Sequence, residues 1–163
     1  MITCKGKSEI LKMEHAARIV HETLSECVAA CLAGRTTEEI DRIAAAGIAS
    51  RGGKPAFPGY RGYPKTICIS INDEVVHGIP STKRVLKAGD VVGLDLGAIV
   101  EGYYADAARS IAVEPVPVPV RELIDTTHAA LLAGIGAVVV GGRIGDIGAA
   151  VEEIGRASGR ERV

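Results

Sequence analysis

Charge of one sign, long apolar runs and aromatic side chains are all scarce in this sequence of 163 residues. The net charge is −1 with both signs interspersed, which excludes the basic surface that nucleic-acid binding needs. The most apolar run, at residues 129–142, is too short to span a bilayer, and the N-terminus lacks the apolar core of a signal peptide. These absences predict a soluble cytoplasmic domain without nucleic-acid or membrane partners.

The four cysteines show no zinc-binding spacing either. Cys27 and Cys31 lie one helical turn apart, which indicates packing rather than ligation, and Cys4 and Cys68 are isolated. Scattered cysteines in a chain without a signal peptide fit a reducing compartment. The hydrophobic fraction of 47% is what one globular domain with a real core requires.

The most informative stretch is VVGLDLGAIVEGYYADAARSIAV, at residues 91–113. Two apolar, β-prone runs flank residues 100–102, which is typical of a β-hairpin. A two- or four-residue loop centred just before Glu101 would place Asp95 and Asp106 directly opposite each other. Two facing carboxylates repel, so this arrangement predicts a cation between them, either one divalent metal ion or a bridged pair.

Two other readings of the hairpin remain open. The acids could simply face solvent on a strand edge. A three-residue loop closed by Gly102 would put them on opposite faces, unless a bulge restored the register.

Candidate site residues also precede the hairpin. Phe57, Tyr60 and Tyr63 lie in a loop rich in Pro and Gly, where they could line an apolar pocket or pack beneath the loop itself. His77 precedes a Gly-Ile-Pro turn at the end of a predicted strand, a place that suits a functional or a structural histidine.

The rest of the chain predicts four helices and additional strands. Residues 34–40 and 141–147 both read as a glycine followed by a capped helix, which suggests an internal duplication whose second copy has helices but no strands. The helices are predicted from a Ser8 cap to Gly34, from a Thr36 or Thr37 cap to Gly52, across residues 120–139 and from Asp146, and the strands at residues 66–71 and 75–80.

Three motifs carry a family resemblance: GYRGYPKTICISINDEVVHGIP at 59–80, AGDVVGLDLG at 88–97 and GYYADAA at 102–108. They resemble the type I methionine aminopeptidases, over about the first three fifths of that family's catalytic domain. The resemblance implies the α/β pita-bread fold, with its first half complete and its second half cut after its helices. Residues 1–152 would form this partial domain.

The resemblance also implies a function, the removal of the initiator methionine from nascent chains near the ribosome. The parent protein would be a monomer with two divalent metal ions, whether Co, Mn, Fe or Zn. Asp95 and Asp106 match metal ligands and His77 matches the catalytic histidine that binds substrate. Tyr60, Tyr63 and Cys68, with Phe57, match the pocket for the methionine side chain, so that these four and His77 would be the substrate-binding residues.

Several functional groups of the family are expected after Glu152: a histidine and two glutamates as ligands, and a second catalytic histidine and glutamate. The chain is therefore predicted to be inactive. Residues 153–163 resemble translated sequencing adapter and are predicted to be a non-native tail. The alternatives are a non-catalytic binding module on this fold, or a proline-specific or creatinase-like relative, although these carry a large domain before the first helix.

Overall fold

The structure, a computed structural model, describes residues 3–159. The chain divides into two compact units, one up to Pro115 and one from Val116. Among the described helices, none combines the length and the apolar character that crossing a membrane demands.

Two helices open the first unit, α1 at Lys7–Ala30 and α2 at Thr37–Ser50. Thr36 caps α2 as predicted: its hydroxyl accepts a hydrogen bond from the Glu39 N–H at 3.2 Å, and the Glu39 carboxylate accepts one from the Thr36 N–H at 2.8 Å. The predicted Ser8 cap of α1 is wrong. The N-cap is Gly6, whose N–H donates to the Glu9 carboxylate at 2.7 Å, so the helix starts earlier.

An antiparallel four-stranded sheet forms the rest of this unit. The strands are β1 at Lys54–Pro55, β2 at Ile67–Ile71, β3 at Val91–Val100 and β4 at Tyr103–Ala112. The central strand β3 pairs with β1 and β2 along one edge and with β4 along the other. One sheet face packs against α1 and α2, and the core contains Val20, Ile40, Ile48, Ile69, Leu94 and Leu96, all nearly or fully buried.

The predicted strand at residues 75–80 does not form. Val75 is 90% exposed, and His77 adopts a left-handed conformation with φ of 61°. A strand needs extended backbone, so this residue interrupts any ladder. The segment stays beside β2 through a bond from the Ile69 N–H to the Gly78 carbonyl at 2.8 Å.

The hairpin forms, but its predicted centre is wrong. Val100 pairs with Tyr103, so the loop is the two residues Glu101 and Gly102, with φ of 48° and 83°. Two positive φ values are what a type I′ turn requires, and this turn matches the twist of the flanking strands. Asp95 therefore pairs with Ala108 rather than with Asp106.

The second unit contains helix α3 at Val118–Gly136 and helix α4 at Ile144–Ala157. A Cβ atom on Gly134 would lie 3.0 Å from the Val151 side chain, so the two helices approach closely there. Helix α4 continues past residue 152, where the sequence analysis places a domain boundary. That boundary stays a prediction. Residues 160–163 of the predicted tail lie outside the described residues.

Candidate active site

Several of the predicted site residues lie on or beside the sheet face that α1 and α2 do not cover, which we call the open face. Side chains alternate along a strand, so the register decides which of them share a face. Asp95 pairs with Cys68 on one side and Ala108 on the other, and Asp106 pairs with Gly97. All of these positions lie on the face opposite the buried core. Asp95 and Asp106 are thus diagonal neighbours on one face, within reach of each other's side chains.

The two carboxyl groups interact directly. They are close enough to share a hydrogen bond, although Asp106 is exposed and Asp95 is half-buried. Burial raises the pKa of Asp95 to about 6, with further contributions from the charge of Asp106 and from that hydrogen bond. Two ionised carboxylates this close repel each other, and a bound cation would offset that repulsion.

The donor chemistry fits a hard divalent ion, since carboxylate oxygens are the ligands that such ions prefer. The ligand set, however, is small. Within residues 3–159, no group of three or more His, Cys, Asp or Glu side chains is arranged to hold a metal ion. Asp95 and Asp106 could therefore supply two ligands, with the others coming from water or from another source.

Cys68 and Tyr63 border the carboxylates. Cys68 is 4% exposed, and burial raises the pKa of its thiol, as do the charges of Asp95 and Asp106. The Tyr63 hydroxyl interacts with the Cys68 thiol, and burial raises the pKa of Tyr63 as well. The Tyr63 hydroxyl lies 3.0 Å from the Ile67 carbonyl oxygen and 3.3 Å from that of Gly78, so its position is fixed from two sides.

Phe57 joins this group through Gly97, a residue that the sequence analysis missed. The rings of Phe57 and Tyr63 meet edge to face, with centroids 6.2 Å apart. A Cβ atom on Gly97 would lie 2.9 Å from the Phe57 ring, so only glycine lets the ring settle against β3 beside Asp106. A glycine in the middle of a strand was the available signal, because it often marks a close approach.

Tyr60 is placed differently from the other aromatic residues. It is 67% exposed, and the Arg61 guanidinium lies 5.6 Å from its ring centroid. Its role in a pocket stays a prediction.

His77 lies near enough to Asp95 for its charge to lower the pKa of that carboxyl, partly opposing the effect of burial. It is exposed, as are Val76 and Ile79 on either side of it. The loop of residues 75–79 thus brings the imidazole within electrostatic reach of Asp95 and leaves Val75, Val76 and Ile79 exposed.

Comparison with known proteins gives this geometry a context. The model of the family described as metallopeptidase family M24 matches residues 11–162. The methionine aminopeptidase of Clostridium acetobutylicum is 42% identical over 153 residues, covering 94% of this chain and 61% of the relative. Methionine aminopeptidase 1 of Mycobacterium tuberculosis is 41% identical over 154 residues, covering 94% and 58%.

Solved structures give the same picture. The crystal structure of methionine aminopeptidase from Thermotoga maritima superposes with a TM-score of 0.91 at 34% identity, covering 98% of this chain and 64% of that one. The chain thus spans about three fifths of the length of the proteins that it resembles.

Proposed function

The chain belongs to metallopeptidase family M24, and from this premise we propose that it contains part of the active site of a methionine aminopeptidase, which removes the N-terminal methionine from nascent proteins. The observation that carries the proposal is the carboxylate pair, Asp95 and Asp106, on the open sheet face with His77 beside it. The family has the α/β pita-bread fold expected from the sequence, and the likeness to solved structures confirms that fold for this chain.

In this proposal each of these residues has a task. Asp95 and Asp106 would act as ligands of divalent metal ions, and such ions, when bound, would supply a water molecule of lowered pKa and polarise the scissile carbonyl. His77 donates a hydrogen bond to the substrate backbone. Its place next to Asp95 supports this task, because the susceptible peptide bond must lie beside the metal ligands.

The apolar residues beside the carboxylates would receive the methionine side chain. Phe57, Tyr63 and Cys68 are already gathered on the open face, and we assign them to the pocket. Tyr60 would join them only after a movement of its loop, since it is exposed at present. The partners would be the N-termini of nascent chains near the ribosome, in the cytoplasm, and the whole protein would act as a monomer.

Metal titration tests the carboxylate pair. We expect Mn²⁺ to bind the chain weakly, since two carboxylates are few ligands, and we expect Asp95→Asn or Asp106→Asn to abolish the heat of binding in calorimetry. Asp146→Asn is the matched control, because Asp146 is an exposed acid in α4. Binding that persists in both sheet variants would overturn the metal site.

Peptide titration tests the proposed specificity. A peptide beginning with Met should shift the NMR signals of Phe57, Tyr63 and Cys68, whereas the same peptide beginning with Gly should not. Equal shifts with the two peptides would contradict a methionine pocket. We expect hydrolysis of Met-Ala peptides only at the background rate, because Asp95 and Asp106 alone cannot complete a dinuclear centre and residues 3–159 hold no group of three or more potential ligands.

A further inference from the structure

The conformation of His77 needs an explanation from outside its own segment. A positive φ is uncommon for a residue other than glycine and costs free energy that surrounding contacts must offset. The neighbours Val75 and Val76 are 90% and 61% exposed, so apolar packing does not supply the missing stabilisation. Hydrogen bonds and an ion pair hold the loop instead, and most of them involve one residue, Arg84.

Arg84 contacts the loop on both sides of His77. Its Nη1 atom donates to the Ile79 carbonyl oxygen at 2.8 Å and to the Ile69 carbonyl oxygen of β2 at 3.1 Å. Its Nη2 atom forms an ion pair with the carboxylate of Glu74, which in turn accepts a hydrogen bond from the Ile71 N–H at 2.8 Å. One guanidinium thus ties the start and the end of the His77 loop to the same strand.

The segment that carries Arg84 is in turn hydrogen-bonded to the first residue of α2. The Arg84 carbonyl accepts a hydrogen bond from the Thr37 N–H at 2.8 Å, and the Thr37 hydroxyl donates to the Ser81 carbonyl at 3.1 Å and accepts from the Ser81 N–H at 2.9 Å. Thr37 is the fully buried first residue of α2. The side chain of Arg84 is 23% exposed, so its bonds are only partly screened by water.

Gly78 shows how closely this contact is set. A Cβ atom on Gly78 would lie 2.1 Å from the Ile69 carbonyl oxygen, the atom that Arg84 also binds. The backbone of the loop therefore touches β2 directly at the residue after His77. The backbone of residues 77–79 therefore cannot move away from β2 without breaking the contacts of the guanidinium.

We propose that Arg84 is a positioning residue, which fixes the His77 loop against β2 and so holds the imidazole beside Asp95. The inference rests on the role proposed for His77 in substrate binding. A planar guanidinium suits the task because it offers several donors in a rigid arrangement, which an ammonium group does not.

The test compares Arg84→Met with wild type by amide hydrogen exchange and by scalar couplings that report φ. We expect the exchange of the Ile69 and Gly78 amides to rise about tenfold, because bonds to a charged donor are lost. We also expect the couplings of His77 to average over several conformations. Amides in the middle of α1 should be unchanged.

Two more variants keep the outcome interpretable. Arg42→Met removes a cation that is 71% exposed on α2, and it should behave as wild type. Arg84→Lys keeps the charge and should give an intermediate effect, even if Arg84→Met loses its global fold. Exchange and couplings that match those of the Arg42 variant in both Arg84 variants would overturn the proposal.

Paramagnetic broadening separates this inference from the proposed function. Mn²⁺ should broaden the signals of Asp95 and Asp106 in all four proteins, and those of His77 strongly only where the loop is fixed. No broadening at the carboxylates of wild type would overturn the metal site and leave the role of Arg84 in the loop standing. Equal broadening of His77 in wild type and Arg84→Met would overturn the positioning role alone.

Discussion

The two units of the chain differ in how far their apolar residues are buried. In the unit up to Pro115, the apolar stripes of α1 and α2 meet one sheet face, and residues such as Ile40 and Leu96 are fully buried. In the unit from Val116, Leu131 and Ile135 are 54% and 58% exposed, and Gly134 is the only buried residue within α3 and α4 as described. Helical periodicity alone therefore does not create a core, because an apolar face also needs a second layer.

The two helix pairs nevertheless resemble each other in sequence and in form. Helices α2 and α4 both start after a glycine with a positive φ, Gly34 in one case and Gly141 in the other. Each has an acid at its third position that accepts a bond from the backbone N–H of the N-cap. Local signals suffice to define these helices, whereas burial depends on what lies opposite them.

The largest difference between the units should appear in large-to-small substitutions. Leu96→Ala in β3 should lower the free energy of unfolding by about 2–5 kcal/mol, because it leaves a cavity in a closed core. Leu131→Ala in α3 should cost less than about 1 kcal/mol, since half of the side chain already faces water. Urea titration followed by circular dichroism measures both, and equal losses would show that Leu131 is packed as tightly as Leu96.

Glycine substitutions should have opposite signs in α2 and α4. A Cβ atom on Gly47 would lie 2.8 Å from the methyl group of Thr23, so Gly47→Ala should destabilise the first unit by about 1–3 kcal/mol. Apart from the adjoining backbone of α4, no described atom lies within 4 Å of the same position at Gly148, so Gly148→Ala should stabilise α4 by about 0.5–1 kcal/mol. Hydrogen exchange along each helix would reveal the two effects separately, and a stabilising Gly47→Ala would contradict the close packing.

Replacing an acid by its amide should raise stability at Asp95 in the first unit and lower it at Asp146 in the second. The pKa of Asp95 in the folded chain is about 6, above its ordinary value of 3.8, so folding favours the protonated acid. This group therefore opposes folding increasingly as the pH rises from about 4 to 6, and fully above that range. In the metal-free chain, Asp95→Asn should raise the free energy of unfolding at pH 7 by about 1–2 kcal/mol, after allowance for solvent screening.

The control for this measurement is Asp146 in α4. Its carboxylate accepts a hydrogen bond from the Arg143 N–H at 2.7 Å at the start of the helix. Asp146→Asn should lower stability by about 0.5 kcal/mol, because the charge near the helix N-terminus is lost. Thermal melts of both variants at pH 4 and pH 7 are the check. An Asp95 variant that is less stable than wild type at pH 7 would show that the carboxylate pair is not strained.

Sequence reasoning succeeded where the determining contacts are local. The Thr36 cap and the existence of the hairpin both depend on neighbouring residues, and both are present. The centre of the hairpin was missed because Glu101, which is not a glycine, occupies a positive φ beside Gly102 in the type I′ turn.

Contacts between residues distant in sequence explain the errors near the site. Val75 and Val76 have the composition of a strand, but the bonds of Arg84 hold their segment in another conformation. The position of Phe57 depends on the missing side chain of Gly97 in a distant strand. The types of the candidate site residues were readable from the sequence, whereas their arrangement depends on long-range contacts.

The smallest change in stability is expected where apolar residues remain exposed. Leu132 and Ile135 in α3 are 54% and 58% exposed, so Leu132→Gln and Ile135→Gln should each change the free energy of unfolding by less than about 0.5 kcal/mol. The same substitutions should reduce the binding of a hydrophobic dye and any self-association that sedimentation detects, because contiguous exposed apolar surface promotes both. A glutamine at Leu96 would be the opposite case, since it would place a polar group in a closed core. A loss above about 1 kcal/mol in either α3 variant would mean that these side chains are covered in solution by a layer of protein, which would remove the difference between the two units.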